Sequence, residues 1–143
     1  MAPELHVVDA EVFAKVQHAF AEALGLDDDE VEMDAKVIDD LGAESLDFLD
    51  IAFRLERTFD VKIPRGGVEA AARDGLVDGE PYELEGVLTA RGLEALREAM
   101  PEVPPDEFHE GLKTAEVPTL FRVATFYRLV LHLMAEAEVR AAG

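Results

Sequence analysis

Three observations predict an all-α fold. Apolar residues recur at helical spacing in the first sixty residues and again near the end of the chain. These runs begin and stop at capping residues and glycines. Alternation of the strand type is weak and confined to one short segment, Tyr82 to Leu88. The chain has 143 residues and 49% apolar content, enough for one domain with a real core.

The elements follow in order. Val8, Val12, Val16, Phe20 and Leu24 predict an amphipathic helix over 8–24, with Asp9 and Glu11 early in it to suit the dipole and Gly25 ending it. The acidic loop Asp27 to Asp34 comes next, pinned to the core by Val31, Val37, Ile38 and Leu41. A second helix is expected from Ser45 to Phe59. One stripe on it, Phe48, Ala52, Leu55 and Phe59, suffices for packing. A second stripe, Leu46, Leu49 and Phe53, starts beside Ser45. It either widens the buried face or is left exposed for a partner.

Val61 to Pro64 leaves the helix extended. From Arg65 to Glu116 the chain is punctuated by Gly66-Gly67, Asp78-Gly79, Glu85-Gly86 and Pro104-Pro105. Within it, Val68 to Arg73 suits a short helix and Tyr82 to Leu88 a strand or hairpin arm. Thr89 suits the cap of a helix over 90–100, with Leu93, Leu96 and Met100 on one face and Pro101 stopping it. Glu107 to Thr114 suits one more turn. The last helix is expected from a Thr119 cap to Arg140. Leu120, Val123, Tyr127, Val130 and Met134 mark one face of it, while Phe121, Phe126, Leu129, Leu131 and Leu133 leave little polar surface. Such a helix is either unusually buried or meets another chain or the inserted segment.

A net charge of -19 argues against nucleic acid and anionic membranes, which need Lys and Arg. It favours partners with basic docking surfaces. The absence of cysteine excludes a disulfide scaffold or thiolate metal site. The N-terminal residues Met1 to Glu4 lack signal-peptide character, and the most apolar stretch, Leu120 to Met134, is too short and too charged for a membrane span. The expectation is a cytoplasmic, monomeric protein.

Ser45 is the only serine, in Asp40-Leu41-Gly42-Ala43-Glu44-Ser45-Leu46-Asp47. Gly42 allows a tight turn before the helix. A serine at a helix start is commonly an N-cap. The free N–H groups and dipole of the same position also favour an attached phosphate.

The run Leu24-Gly25-Leu26, Val31, Asp40 to Asp47 and Leu55-Glu56-Arg57-Thr58-Phe59-Asp60-Val61-Lys62-Ile63-Pro64 resembles the acyl carrier protein family. The resemblance runs from about residue 8 to 64 and returns more weakly over 117–131. It implies a four-helix bundle with an inserted segment: core 5–64 and 117–141, insertion 65–116, in one carrier domain. It also implies that Ser45 bears 4′-phosphopantetheine, attached by a phosphopantetheinyl transferase. The chain would then be no enzyme but a holder of acyl thioesters for acyl-transferring or condensing enzymes in fatty-acid or specialised lipid biosynthesis.

By the same resemblance, Glu44, Leu46, Asp47, Leu49, Asp50, Phe53 and Glu56 form the docking face, with Arg54 and Arg57 intruding on it. Each arginine reduces attraction to a basic partner, or pairs with Asp50, Asp60 or Glu56 at low energetic worth. Phe48, Ala52, Leu55, Phe59, Ile63, Val123, Phe126 and Tyr127 are candidates for lining an acyl cavity, or are ordinary core. The insertion would enlarge a wall for a longer chain or add a recognition surface. An unmodified interaction module and a polyketide or peptidyl carrier are the alternatives.

Other chemistries lack their residues. Asp27 to Asp34 has no glycine at the sixth position of an EF-hand loop. His6, His18, His109 and His132 have no ligand spacing. Ala43 to Asp47 does not make the nucleophile elbow of a serine hydrolase.

Overall fold

A computed structural model describes residues 9–64, 67–74, 76 and 80–142. Expectations at Met1 to Glu4, His6, Val8, Arg65, Gly66, Asp78 and Gly79 lie outside the described residues.

Helix α1 spans Ala10–Leu24. Asp9 is its N-cap rather than a residue of its first turn: the side chain accepts from Val12 N at 3.1 Å. Gly25 closes the helix in the left-handed conformation, with its N–H on Ala21 O. Helix α2 spans Ser45–Phe59, matching its predicted limits. The loop between them makes a 3₁₀ turn at Asp28–Glu30 and buries Val31 and Val37 completely, with Ile38 and Leu41 half-buried.

The insertion carries α3 (Gly67–Asp74), β1 (Glu83–Leu84), β2 (Val87–Leu88) and α4 (Ala90–Ala99). The strands pair antiparallel, Glu83 with Leu88 and Leu84 with Val87. Glu85 and Gly86 both adopt positive φ, as a two-residue hairpin turn requires. Thr89 caps α4 by accepting from Gly92 N at 2.9 Å. Gly92 is required sterically, since a Cβ there would lie 2.0 Å from Tyr82 O. Two more 3₁₀ turns, Pro105–Glu107 and Thr114–Leu120, lead out of the insertion.

Helix α5 spans Val123–Ala142, which corrects the predicted start. Thr119 does not cap it. That residue lies in the preceding 3₁₀ turn with Pro118, and its hydroxyl donates to Glu116 O. Leu120 and Phe121 therefore precede the helix. The cause is tertiary. The α1–α2 loop pairs with this segment through Val37 N to Phe121 O (3.0 Å), Val123 N to Ala35 O (3.0 Å) and Ala124 N to Met33 O (2.8 Å). These bonds hold Phe121 extended and delay the helix. The expected turn within Glu107 to Thr114 forms at its centre, where Leu112 N donates to His109 O at 3.1 Å between the two 3₁₀ segments.

Two apolar clusters result. The first joins Val16, Phe20, Val31, Val37, Ile51, Leu55, Val123 and Val130 from α1, α2, α5 and the acidic loop, all fully buried. The second lies in the insertion and its exit, around Tyr82, Leu88, Leu96, Met100, Phe108 and Val117. Phe121 packs against both. Each fully buried leucine contributes about 1.5–3 kcal/mol by removal from water. The apolar last helix is thereby explained. Its first half is covered by the α1–α2 core on one side and approached by the insertion on the other, where Leu129 faces Val68, Ala71 and Ala99 across a cleft of about 240 Å³.

The same junction is polar. The Arg122 guanidinium is buried and donates to both carboxylate oxygens of Glu107, at 3.1 and 2.7 Å, and to Leu120 O. Thr125 Oγ1 donates to Glu102 Oε2 at 2.7 Å, and Arg128 lies 3.2 Å from Glu102 Oε1. The bonded guanidinium holds the Glu107 carboxyl below the usual glutamate range.

Candidate functional site

The segment ahead of α2 is a hydrogen-bonded turn. Leu41 N donates to Lys36 O, Gly42 N to Ile38 O and Ala43 N to Val37 O. Asp40 Oδ2 accepts from Lys36 N at 2.8 Å. Gly42 has φ +76°, a conformation costly to any residue with a Cβ. Ala43 is buried and anchors the turn on the core.

Glu44, in extended conformation, is the N-cap of α2. Its N–H donates to Asp47 Oδ2 at 2.7 Å. Ser45 is thus the first helical residue and not the cap. It is exposed, and among the described residues its hydroxyl has no hydrogen-bond partner. The hydroxyl stands free at the helix start beside the N–H groups of Ser45 and Leu46, a setting that suits a phosphate bonded to it, while Asp47 N donates to Glu44 O at 2.9 Å. Asp47, the nearest acid on the helix, is drawn back onto Glu44 N–H.

From Ser45 the two predicted stripes diverge. Leu46, Leu49 and Phe53 are 78%, 70% and 56% exposed, which decides the sequence ambiguity for an open strip. Glu44 and Arg57 are exposed, while Asp47, Asp50, Arg54 and Glu56 are half-buried beside the strip. Arg54 is held by Asp50 Oδ1 (2.9 Å) and by Glu22 Oε1 of α1 (3.0 Å). Arg57 does not pair along the helix: its guanidinium lies 5.4 Å from the Phe53 ring centroid. Glu56 instead accepts from Ile63 N at 2.8 Å and fixes the exit of α2.

The opposite side of α2 faces the core. Leu55, Val123, Phe126 and Tyr127 are buried, and Phe48, Ala52, Phe59 and Ile63 half-buried. Phe48, one turn beyond Ser45, packs with Phe121 and Phe126 at centroid distances of 6.0 and 6.1 Å. Tyr127 accepts from Asp9 N at 2.8 Å, tying α5 to the start of α1. The sequence reading missed Ile51, fully buried between Phe48 and Leu55, although its spacing of three and four from them was available. It also missed Phe121 as a member of the aromatic group under Ser45. Among the described residues no cluster of acids and histidines suits a metal, and no helix is long and apolar enough to cross a membrane.

A family model described as a phosphopantetheine attachment site matches residues 14–66, which include Ser45. An acyl carrier protein of Thermotoga maritima is 42% identical over 65 residues, covering 46% of this chain and 80% of the relative. The acyl carrier protein AcpXL of Brucella melitensis is 40% identical over 70 residues, covering 49% and 75%. A protein of the same name from Rhizobium meliloti is 37% identical over 87 residues, covering 61% and 90%.

Proposed function

The chain belongs to the acyl carrier protein family, and on that premise we propose that Ser45 is where it carries the family's 4′-phosphopantetheine. Like its relatives it is a carrier and not an enzyme. The observation that carries the proposal is the only serine in the chain, exposed and without a hydrogen-bond partner among the described residues, at the first residue of α2 and inside the matched segment. Ser45 Oγ would attack the phosphorus of coenzyme A that bears the pantetheine, in the site of a phosphopantetheinyl transferase. Its proton passes to the transferase, and adenosine 3′,5′-bisphosphate leaves. The attached group supplies the thiol that this cysteine-free chain lacks, for holding acyl groups as thioesters.

The chain's own residues do the positioning. The Lys36 to Ala43 turn and the Glu44–Asp47 bond hold Ser45 proud of the bundle. Glu44, Leu46, Asp47, Leu49, Asp50, Phe53 and Glu56, with Arg54 and Arg57, offer the docking face to the transferase and to acyl-transferring or condensing enzymes. Phe48, Ala52, Leu55, Phe59, Ile63, Val123, Phe126 and Tyr127 would part to receive an acyl chain. The assignment extends to one carrier domain, core 5–64 and 117–141 with insertion 65–116, acting as a cytoplasmic monomer in fatty-acid or specialised lipid biosynthesis.

Intact mass after coexpression with a transferase tests the reading. A phosphopantetheine increment is expected in the native chain and none in Ser45→Ala. No increment with any transferase would overturn it. That result would favour the second reading, an unmodified interaction module, for which the open Leu46–Leu49–Phe53 strip is the supporting observation.

A further inference from the structure

The groove between α1 and α2 gathers cations on an otherwise acidic chain. It has a volume of about 510 Å³ and is lined by Lys15, His18 and Glu22 of α1 and by Arg54, Arg57 and Thr58 of α2. The chain has 13 Lys and Arg against 32 Asp and Glu, so three of the cations sharing one groove is a local reversal of sign. Glu22 and Asp50 neutralise Arg54. His18 lies between Glu22 and Asp28, at 3.3 Å from each. Among the described residues no carboxylate lies within ion-pair distance of Lys15 or Arg57. Arg57 also stacks on Phe53, which places its charge at the far end of the exposed apolar strip.

The strip is therefore bipolar. Glu44 and Asp47 flank its start beside Ser45, Arg57 lies over Phe53 at its end, and Lys15 shares the adjoining groove with Arg57. Ten residues of helix separate Asp47 from Arg57, about 15 Å along the axis. A uniformly basic partner would gain at one end and lose at the other.

We infer that this face takes a protein partner of matching polarity. Such a partner presents cations where it meets Ser45, carboxylates about 15 Å further along, and an apolar recess between them for Leu49 and Phe53. The arrangement allows one docking direction, so the charges orient the partner's reaction centre over Ser45 as well as attracting it. This inference rests on the carrier reading for its biological use but not for its test.

The test uses the full chain and two synthetic amphipathic helical peptides with the same apolar residues. One carries Lys at one end and Glu at the other, and its twin carries Lys at both ends. Each is spin-labelled in turn at either end, and binding is followed by NMR at low ionic strength. The mixed peptide should bind on the order of three- to tenfold more tightly than its twin, the range of a few exposed ion pairs. A label at its Lys end should broaden Leu46 and Asp47, and a label at its Glu end should broaden Lys15 and Arg57. In the double variant Lys15→Glu, Arg57→Glu, both exposed sites, the preference should reverse while the circular dichroism spectrum stays native. Equal affinity for the two peptides, binding without a preferred direction, or no binding of either overturns the inference. Phosphopantetheine loading, read separately by mass, reports on the carrier reading alone.

Discussion

The core of α1, α2 and α5 is assembled from the faces of three long helices, whereas the core of the insertion is gathered from short helices, a two-residue hairpin and 3₁₀ turns. In the first, the helix faces supply most of what is buried, and Val31 and Val37 of the acidic loop complete it. In the second, local devices do the selecting: the positive φ of Glu85 and Gly86, the Thr89 cap, and the close passage of Gly92 over Tyr82. The surfaces differ as well. The carrier core leaves one apolar strip open beside Ser45. Among the described residues the insertion turns most of its aromatic and aliphatic side chains inward, Leu84 being exposed, and meets the rest through Phe121 and through Arg122, Arg128 and Thr125. A segment of some fifty residues can be added to a small bundle when it brings its own apolar core and joins by a few directional bonds.

The largest effects are expected in the two cores. Leu55→Ala and Leu96→Ala each empty a fully buried site and should each cost about 2–5 kcal/mol. Native-state hydrogen exchange should separate them: Leu55→Ala raises exchange throughout, and Leu96→Ala raises it mainly over residues 80–120. Uniform acceleration by both would mean that the two cores form one cooperative unit.

The junction is the next test. Arg122→Met removes the guanidinium from a buried position and leaves Glu107 without its charged partner. A loss of about 2–4 kcal/mol is expected in denaturant titration, toward the lower part of the range for broken buried pairs because Glu107 keeps some contact with water. The Glu107→Gln, Arg122→Met double variant should recover part of it.

Acid probes the same bond more gently. The Glu107 carboxyl is held below its ordinary range in the folded chain, so its contribution is present above the unfolded value and is lost as pH falls through the folded one. Exchange protection around Glu107 and Arg122 should therefore weaken at pH below the ordinary glutamate range, and this particular loss should vanish in Glu107→Gln. The smallest effect is expected on the open strip, where Phe53→Ser and Leu49→Ser should change stability by less than about 0.5 kcal/mol. A larger loss would place these side chains in the fold and not on a docking face.

Helices α1, α2 and α4 were readable almost to the residue, because each couples a 3.6-residue pattern to a local stop or cap such as Gly25, Asp9 or Thr89. The loop-to-helix setting of Ser45, on which the proposal rests, was readable for the same reason: the turn, the helix start and the flanking acids are all contiguous. The start of α5 was not. Thr119 has the chemistry of a cap, but hydrogen bonds from Ala35 and Val37, more than eighty residues earlier, hold the backbone at Phe121 extended. Nor could periodicity choose between an open and a buried Leu46–Leu49–Phe53 strip, since it records which residues share a face and not what covers that face.

Local order thus carries the α-helical class, the loop-to-helix setting of Ser45 and the acidic start of the exposed Leu46–Leu49–Phe53 strip, because all of these arise between residues within a few turns of one another. The second core in the insertion, the burial of Arg122 against Glu107 and the meeting of Lys15 with Arg57 were decided only on folding. Each depends on long-range contacts between segments whose separate patterns say nothing about where they will meet. For Lys15 and Arg57 that meeting places two cations without a described carboxylate partner in one groove, with Arg57 over Phe53 at the end of the strip that begins beside Ser45.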